Sequence, residues 1–323
     1  MDTAITKLFG IKYPIFCAPM FLVSNESMVV AASNAGGIGA FPALNFRPIE
    51  KYRDAIRDIK KRTQGPIAVN VIMQSSNKFR DQHIDIAIEE GVGLIISSLG
   101  SPKEVLKRAQ GTKTKVFCDV IGLEHAKKSA DAGAHGLIAV GSGAGGHAGD
   151  TSLFALIPHL KAHVGLPIVA AGSISNGATM AAAMALGADG IYMGTRFIAS
   201  KESPASEAYK QAIVGATPER IVNTDRVDGF PGNFILTKSL ADYGVKPGFF
   251  ETLLRSSKKL HRMLSLYRAG RALFGSQNEK VSYKTIFSAG HGVGQIHEIL
   301  SIQEIFDRTL AEYSATLLQL PRP

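Results

Sequence analysis

Apolar residues come in short, evenly spaced bursts along this chain. Runs at 14–20, 37–41, 67–71, 94–97, 115–119, 136–140, 167–171 and 190–193 are rich in Ile, Val, Ala and Phe. Segments with helical periodicity lie between them, at 24–35, 47–62, 79–90, 102–109, 123–132, 150–163 and 176–186. Runs that are apolar throughout, rather than alternating, predict strands buried on both faces. Their alternation with helices predicts right-handed βαβ units around a parallel sheet. Eight such units predict an α/β fold closed as a (β/α)8 TIM barrel. A doubly wound open sheet is the competing architecture. It is disfavoured because no Gly-x-Gly-x-x-Gly follows the first run.

The rhythm stops near residue 200. Residues 203–284 carry turn clusters, such as Asp228-Gly229-Phe230-Pro231-Gly232-Asn233, and a basic segment at 255–271. This stretch reads as a mostly helical insertion or lid after the eighth strand. It divides a barrel made of residues 1–202 and 285–323, which a helix at about 296–318 completes.

Composition narrows the picture. At 323 residues with 45% hydrophobic and 20% charged positions, the chain is ordinary globular material. The formal charge of +9 favours an anionic ligand. Its basic residues are mostly dispersed, with no zinc-finger or aromatic RNA-binding pattern, so nucleic acid is not expected. Two distant cysteines, Cys17 and Cys118, argue against a disulfide framework and for a reducing, cytoplasmic setting. No signal-peptide pattern and no membrane-length apolar run are seen. His and acidic residues do not fall at metal-ligand spacing, so no metal is expected.

The candidate chemistry gathers at the C-terminal ends of the strands, where barrels of this kind keep their sites. After the sixth run comes Gly141-Ser142-Gly143-Ala144-Gly145-Gly146-His147-Ala148-Gly149. Its glycines let a planar or anionic ligand approach the main chain, and His147 is its one group titrating near neutrality. Gly172-Ser173 and Gly194-Thr195 follow the seventh and eighth runs, the positions where such barrels most often seat a phosphate. Ala18, Pro19, Met20, Asn70 and Asp119 fall at the remaining strand ends. A second Gly-rich loop, 286–294, adds Ser288 and His291 as candidate pocket residues.

Several segments together resemble the FMN barrel family of nitronate monooxygenase, also called 2-nitropropane dioxygenase. They are Gly10-Ile11-Lys12-Tyr13-Pro14-Ile15, Ser33-Asn34-Ala35-Gly36-Gly37-Ile38-Gly39, Val69-Asn70-Val71, Ala144 to Gly149, Ala185 to Phe197, and Phe287-Ser288-Ala289-Gly290. The resemblance implies an FMN-dependent oxidoreductase that converts alkyl nitronates and O2 to a carbonyl compound and nitrite. It implies His147 as the catalytic residue and Gly172, Ser173, Gly194 and Thr195 on the FMN phosphate. It also implies Met20 and Asn70 along the ring system or ribityl chain, with Ala18, Pro19, Asp119, Gly145 and Gly146 beside them. Flavin-dependent enoyl reductases and NADH:quinone reductases share the Gly-Gly-His loop. An NAD(P)H-dependent reductase is therefore the alternative, and NAD(P)H use and a homodimer stay open. Asp119 stands where many relatives carry Lys, and Pro42-Ala43-Leu44-Asn45 departs from the enoyl reductase pattern.

Overall fold

The computed structural model describes residues 1–227, 229–246 and 285–321. In chain order, α1 (Ala4–Phe9) precedes β1 (Ile15–Cys17), α2 (Glu26–Asn34), β2 (Ile38–Pro42), α3 (Ile49–Arg62), β3 (Ile67–Ile72) and α4 (Arg80–Glu89). There follow β4 (Leu94–Ser98), α5 (Lys103–Ala109), β5 (Lys115–Val120), α6 (Leu123–Asp131), β6 (Gly136–Val140), β7 (Gly146–His147) and α7 (Leu153–Lys161). Then come β8 (Ile168–Ala171), α8 (Gly177–Ala185), β9 (Gly190–Met193), α9 (Thr195–Ile198) and α10 (Glu207–Val214). β10 (Ile221–Thr224), β11 (Gly232–Ile235), α11 (Lys238–Tyr243) and α12 (Ile302–Gln319) complete the described strands and α-helices.

Strands β1, β2, β3, β4, β5, β6, β8 and β9 pair in parallel and close into a barrel, with β9 returning to β1. This is the (β/α)8 architecture that the eight apolar runs predict. Period-two alternation splits each strand between two cores. Phe16, Ala40, Ala68, Ile96, Phe117, Ile138 and Val169 fill the barrel interior. Their neighbours Cys17, Val69, Ile95, Val116, Leu137 and Ala170 face the surrounding helices.

Helix α1 was not predicted. It closes the N-terminal end of the barrel, its Phe9 ring lying 6.4 Å from Phe16 and 5.6 Å from Phe117. Thr3 and Thr6 form a reciprocal capping box at its start. Helix α12 begins at Ile302, later than the sequence reading, because Ser301 caps it with Glu304. It crosses α8 at Gly177, where a Cβ would strike the backbone of Thr309 and Tyr313.

Of the expected insertion, the described part holds α10, α11 and an antiparallel pair, β10–β11, that the sequence reading did not anticipate. β11 also pairs with β7, joining this segment to the His147 loop. The basic segment 255–271 lies outside the described residues.

Candidate active site

Continuing the same alternation toward the C-terminal end of the barrel changes the chemistry. The next inward positions on three successive strands are Asn70 on β3, Ser98 on β4 and Asp119 on β5. The Asn70 amide donates to Ser98 Oγ at 2.5 Å and to the Ile96 carbonyl at 3.3 Å. Having accepted from an amide, Ser98 gives its own proton to Asp119 Oδ2. Asp119 Oδ1 is buried with no hydrogen-bond partner. Loss of hydration therefore pushes the Asp119 carboxyl up to about 6, against the lowering effect of the Ser98 hydroxyl.

This shift has a sign that can be tested. An unfolded Asp titrates near about 3.9, so at intermediate pH the native state keeps a proton that the unfolded chain has released. Stability is thus lost as pH rises from about 4 through about 6. Asp119→Asn removes that loss. Its thermal midpoint relative to wild type should move in the variant's favour by about 2 °C or more between pH 4 and pH 8. Scanning calorimetry at the two pH values checks this, and a pH-independent gap would refute it.

Asp119 forms part of the wall of a cavity of about 2080 Å³ at the strand C-terminal ends. Ala18, Pro19, Met20, Asn70, Gly145, Gly146, His147, Gly172, Ser173, Gly194, Thr195 and Ser288 line the same cavity. His291 does not. Its Nδ1 is buried without a partner, and its backbone N–H donates to the Gly143 carbonyl at 3.1 Å.

The His147 loop owes its shape to packing against other chain segments. A Cβ on Gly143 would collide with Ser173 Oγ, and one on Gly145 would come within 2.8 Å of the Gly290 nitrogen. Gly143 therefore permits contact with the loop after β8, and Gly145 with the 286–294 loop. The Gly143 carbonyl accepts from the N–H groups of both Ser173 and His291. Thr195 Oγ1 accepts from the Gly290 N–H at 3.0 Å, tying that loop to the start of α9.

Asn233 is the residue the sequence reading missed. Buried on β11, it donates to the carbonyls of Ser142 at 2.9 Å and Ala144 at 2.7 Å. Asn223 donates to its Oδ1 at 3.0 Å, which fixes the amide's orientation. Nothing in the spacing of a Gly-Phe-Pro-Gly-Asn cluster announces such a clamp. Ser98 was readable in retrospect, as one of two serines ending an otherwise apolar strand at the C-terminal face of the barrel.

His147 is exposed at the cavity wall, and its ring lies edge-on to Phe230 at 5.6 Å and 82°. The pairing of Gly232 with His147 holds its backbone. At the β8–β9 end, Gly172 has φ +136° and Ser173 φ +53°. A Cβ on Gly194 would make ordinary contact with Ala18 Cβ at 3.7 Å and Met20 Cγ at 3.8 Å. The N–H groups of Gly172, Gly194 and Thr195 take no part in the backbone hydrogen bonds of these loops.

Neither cysteine is set up as a nucleophile. Burial pushes the Cys118 thiol up to about 11, only partly offset by Ser129, and pushes Cys17 up further, with a smaller contribution from Glu202. No cluster of potential metal ligands occurs among the described residues. No described helix is long and apolar enough to cross a membrane.

A closed parallel barrel whose strand ends surround one deep cavity, with an imidazole on its wall, defines a (β/α)8 enzyme. The chain belongs to the nitronate monooxygenase family, whose sequence model matches residues 2–312. It is 30% identical over 268 residues to a hydroxy-methyl-oxo-octahydroindene-carboxyl-CoA dehydrogenase of Mycobacterium tuberculosis, covering 81% of this chain and 75% of that protein. It is 30% identical over 281 residues to a probable nitronate monooxygenase of Staphylococcus saprophyticus, covering 73% and 79%. FabK from Thermotoga maritima superposes with a TM-score of 0.85 at 29% identity, covering 99% of this chain and 98% of that one. The protein is an oxidoreductase of a generally flavin-dependent group.

Proposed function

We propose that this chain is an FMN-dependent nitronate monooxygenase of the cytoplasm. It would oxidise alkyl nitronates of the 2-nitropropane or propionate-3-nitronate type with O2 to a carbonyl compound and nitrite. One observation carries the reading: His147, held by β7–β11 pairing, shares a cavity wall with the main-chain donors of Gly172, Gly194 and Thr195.

FMN suits the residues present. Among the described residues the donors at the β8–β9 end have no acceptor in the surrounding loops, and the lack of a side chain on Gly194 lets a ligand approach the main chain there. Ser173 adds a hydroxyl, while Ala18, Met20 and Asn70 line the wall beyond. When bound, FMN supplies the capacity to take electrons from the substrate and pass them to oxygen. His147 removes the α-proton of a neutral nitroalkane, or donates a hydrogen bond to a nitro oxygen when the substrate arrives as nitronate. The described part of the 203–284 stretch would act as a lid over this site. In support, Tyr209, Phe230, Pro231 and Phe234 of that stretch line the cavity.

A second reading, an oxidoreductase acting on acyl thioesters with NAD(P)H, has its own support. Arg47, Lys78 and Lys103 line the cavity, and such ligands are anionic. The two are separated by mixing the flavin-loaded protein anaerobically with propionate-3-nitronate, NADH or NADPH. Bleaching of the flavin absorbance by nitronate is expected, and heat should release FMN. Bleaching by a nicotinamide alone, or release of FAD, would overturn the proposal.

A further inference from the structure

The side-chain hydrogen bonds that link β3, β4 and β5 run in one direction. The Ile96 carbonyl can only accept, so the NH2 side of the Asn70 amide faces it. The same NH2 donates to Ser98 Oγ, and the single Ser98 proton goes on to Asp119 Oδ2. A proton that neutralises Asp119 therefore belongs on Oδ1. That is the oxygen left without a partner, on a residue that lines the cavity. A buried polar atom left unmatched at a cavity wall marks the place of a ligand atom.

The groups that bear on Asp119 are the Ser98 hydroxyl from β4, the Tyr192 phenol from β9 and Cys118 on its own strand. From β6 its register partner is the apolar Ile138. None of these is a cation that would hold the carboxyl ionised. Burial pushes Asp119 up to about 6, Cys118 up to about 11 and Tyr192 well above its ordinary value. Of these groups only Asp119 titrates between pH 5 and pH 8. Tyr192, whose hydroxyl the Asp119 charge raises further, stands two residues before Gly194. β5 and β9 are three strands apart around the barrel, about 14 Å along the wall. A phosphate held at Gly194 and a ring system at Asp119 can therefore belong to one molecule.

On the reading of this cavity as an FMN site, we propose that Asp119 meets the flavin as a neutral acid, its Oδ1–H donating to an acceptor atom of the ring system. Ser98 is then a positioning residue, which places the proton by occupying Oδ2. A carboxylic acid kept neutral by an apolar site can donate a hydrogen bond that its ionised form cannot. Binding and proton uptake are thereby linked. Above about pH 6 the free protein has lost the proton that the complex needs, so flavin affinity falls as pH rises.

The test is fluorescence titration of the flavin-stripped full chain with FMN and with riboflavin from pH 5 to pH 8.5. In Asp119→Asn the Ser98 bond holds the amide oxygen and turns its NH2 to the Oδ1 side, a permanent copy of the neutral acid. Relative to this variant, wild-type affinity should fall about tenfold or more between pH 5 and pH 8. His147 and the FMN phosphate, which titrates near about 6 as well, are common to both proteins and cancel in that ratio. Riboflavin, which has no phosphate, should give the same ratio. Ser98→Ala removes the hydroxyl that lowers the Asp119 carboxyl, so the pH at which affinity begins to fall should move up. That shift also decides the matter if Asp119→Asn does not fold. A pH-independent ratio, or a fall that Ser98→Ala does not move, would overturn the role of Asp119 and leave FMN in place. A fall seen with FMN but not with riboflavin would overturn it too, because the carboxylate would then only repel phosphate. Failure of the wild type to bind FMN at any pH would overturn the cofactor reading and this role together.

Discussion

His147→Ala is expected to slow turnover of neutral nitroalkanes by about 10²–10⁴-fold, the usual worth of a positioned general base. Preformed nitronates should suffer far less. Only the neutral substrate needs a proton removed from carbon, so the two losses separate proton abstraction from binding. The variant should fold, because the loop is held by main-chain pairing with β11, the Asn233 amide and the Gly143 carbonyl rather than by the ring. FMN should stay bound, since its proposed phosphate donors lie on the β8 and β9 ends. Steady-state kinetics on 2-nitropropane and on its nitronate decide the matter. Equal losses would make His147 a binding residue, and no loss would leave the loop as a wall of the cavity only.

The second large effect is expected at Gly194. Its φ of −105° suits any residue, and an added Cβ would meet only Ala18 and Met20 at ordinary contact distances. Gly194→Ala should therefore fold normally. The new methyl would stand before the main-chain donors, so flavin affinity should fall about tenfold or more, ~1.4 kcal/mol. Gly194→Asp adds negative charge where phosphate is proposed to sit and should abolish retention altogether. Flavin content after gel filtration, read beside the thermal melt, measures both. Gly177→Ala is the contrasting control. There the methyl meets the backbone of α12, so stability should fall while flavin affinity does not. Full flavin content in a folded Gly194→Asp protein would remove the phosphate from this end of the barrel.

The barrel was legible because each strand is short, apolar on both faces and bounded by glycine or charge. The runs at 136–140 and 190–193 match their strands residue for residue. Helix α1 escaped because its six residues are too few to show periodicity, and its role as a plug exists only once the barrel has closed. Strands β7 and β11 escaped for a related reason. Gly146–His147 and Gly232–Ile235 are defined by their pairing with each other, across some 85 residues of sequence, while their glycines read locally as turns.

The same distinction runs through the site. Glycines and the histidine at strand ends could be named from the sequence, and the cavity gathers all of them except His291. The Asn70–Ser98–Asp119 chain could not, because a hydrogen bond between neighbouring strands depends on register. The glycines of the His147 loop were legible as glycines but not in their use. Close approach is indeed what Gly143 and Gly145 permit, although the partner is another loop of the same chain.

That interlock bears on how the molecule comes into being. The eighth barrel strand ends at Met193, whereas two of the residues that clasp the His147 loop, Asn233 and His291, come later. A nascent chain long enough to complete the ring of strands has the Ser173 N–H for the Gly143 carbonyl but still lacks the Asn233 and His291 donors to the same loop. Closure of the barrel and maturation of the site are therefore separate events in synthesis, the second waiting on nearly a hundred further residues. Until they arrive, the His147 loop is only partly held, so the final shape of this cavity wall comes last.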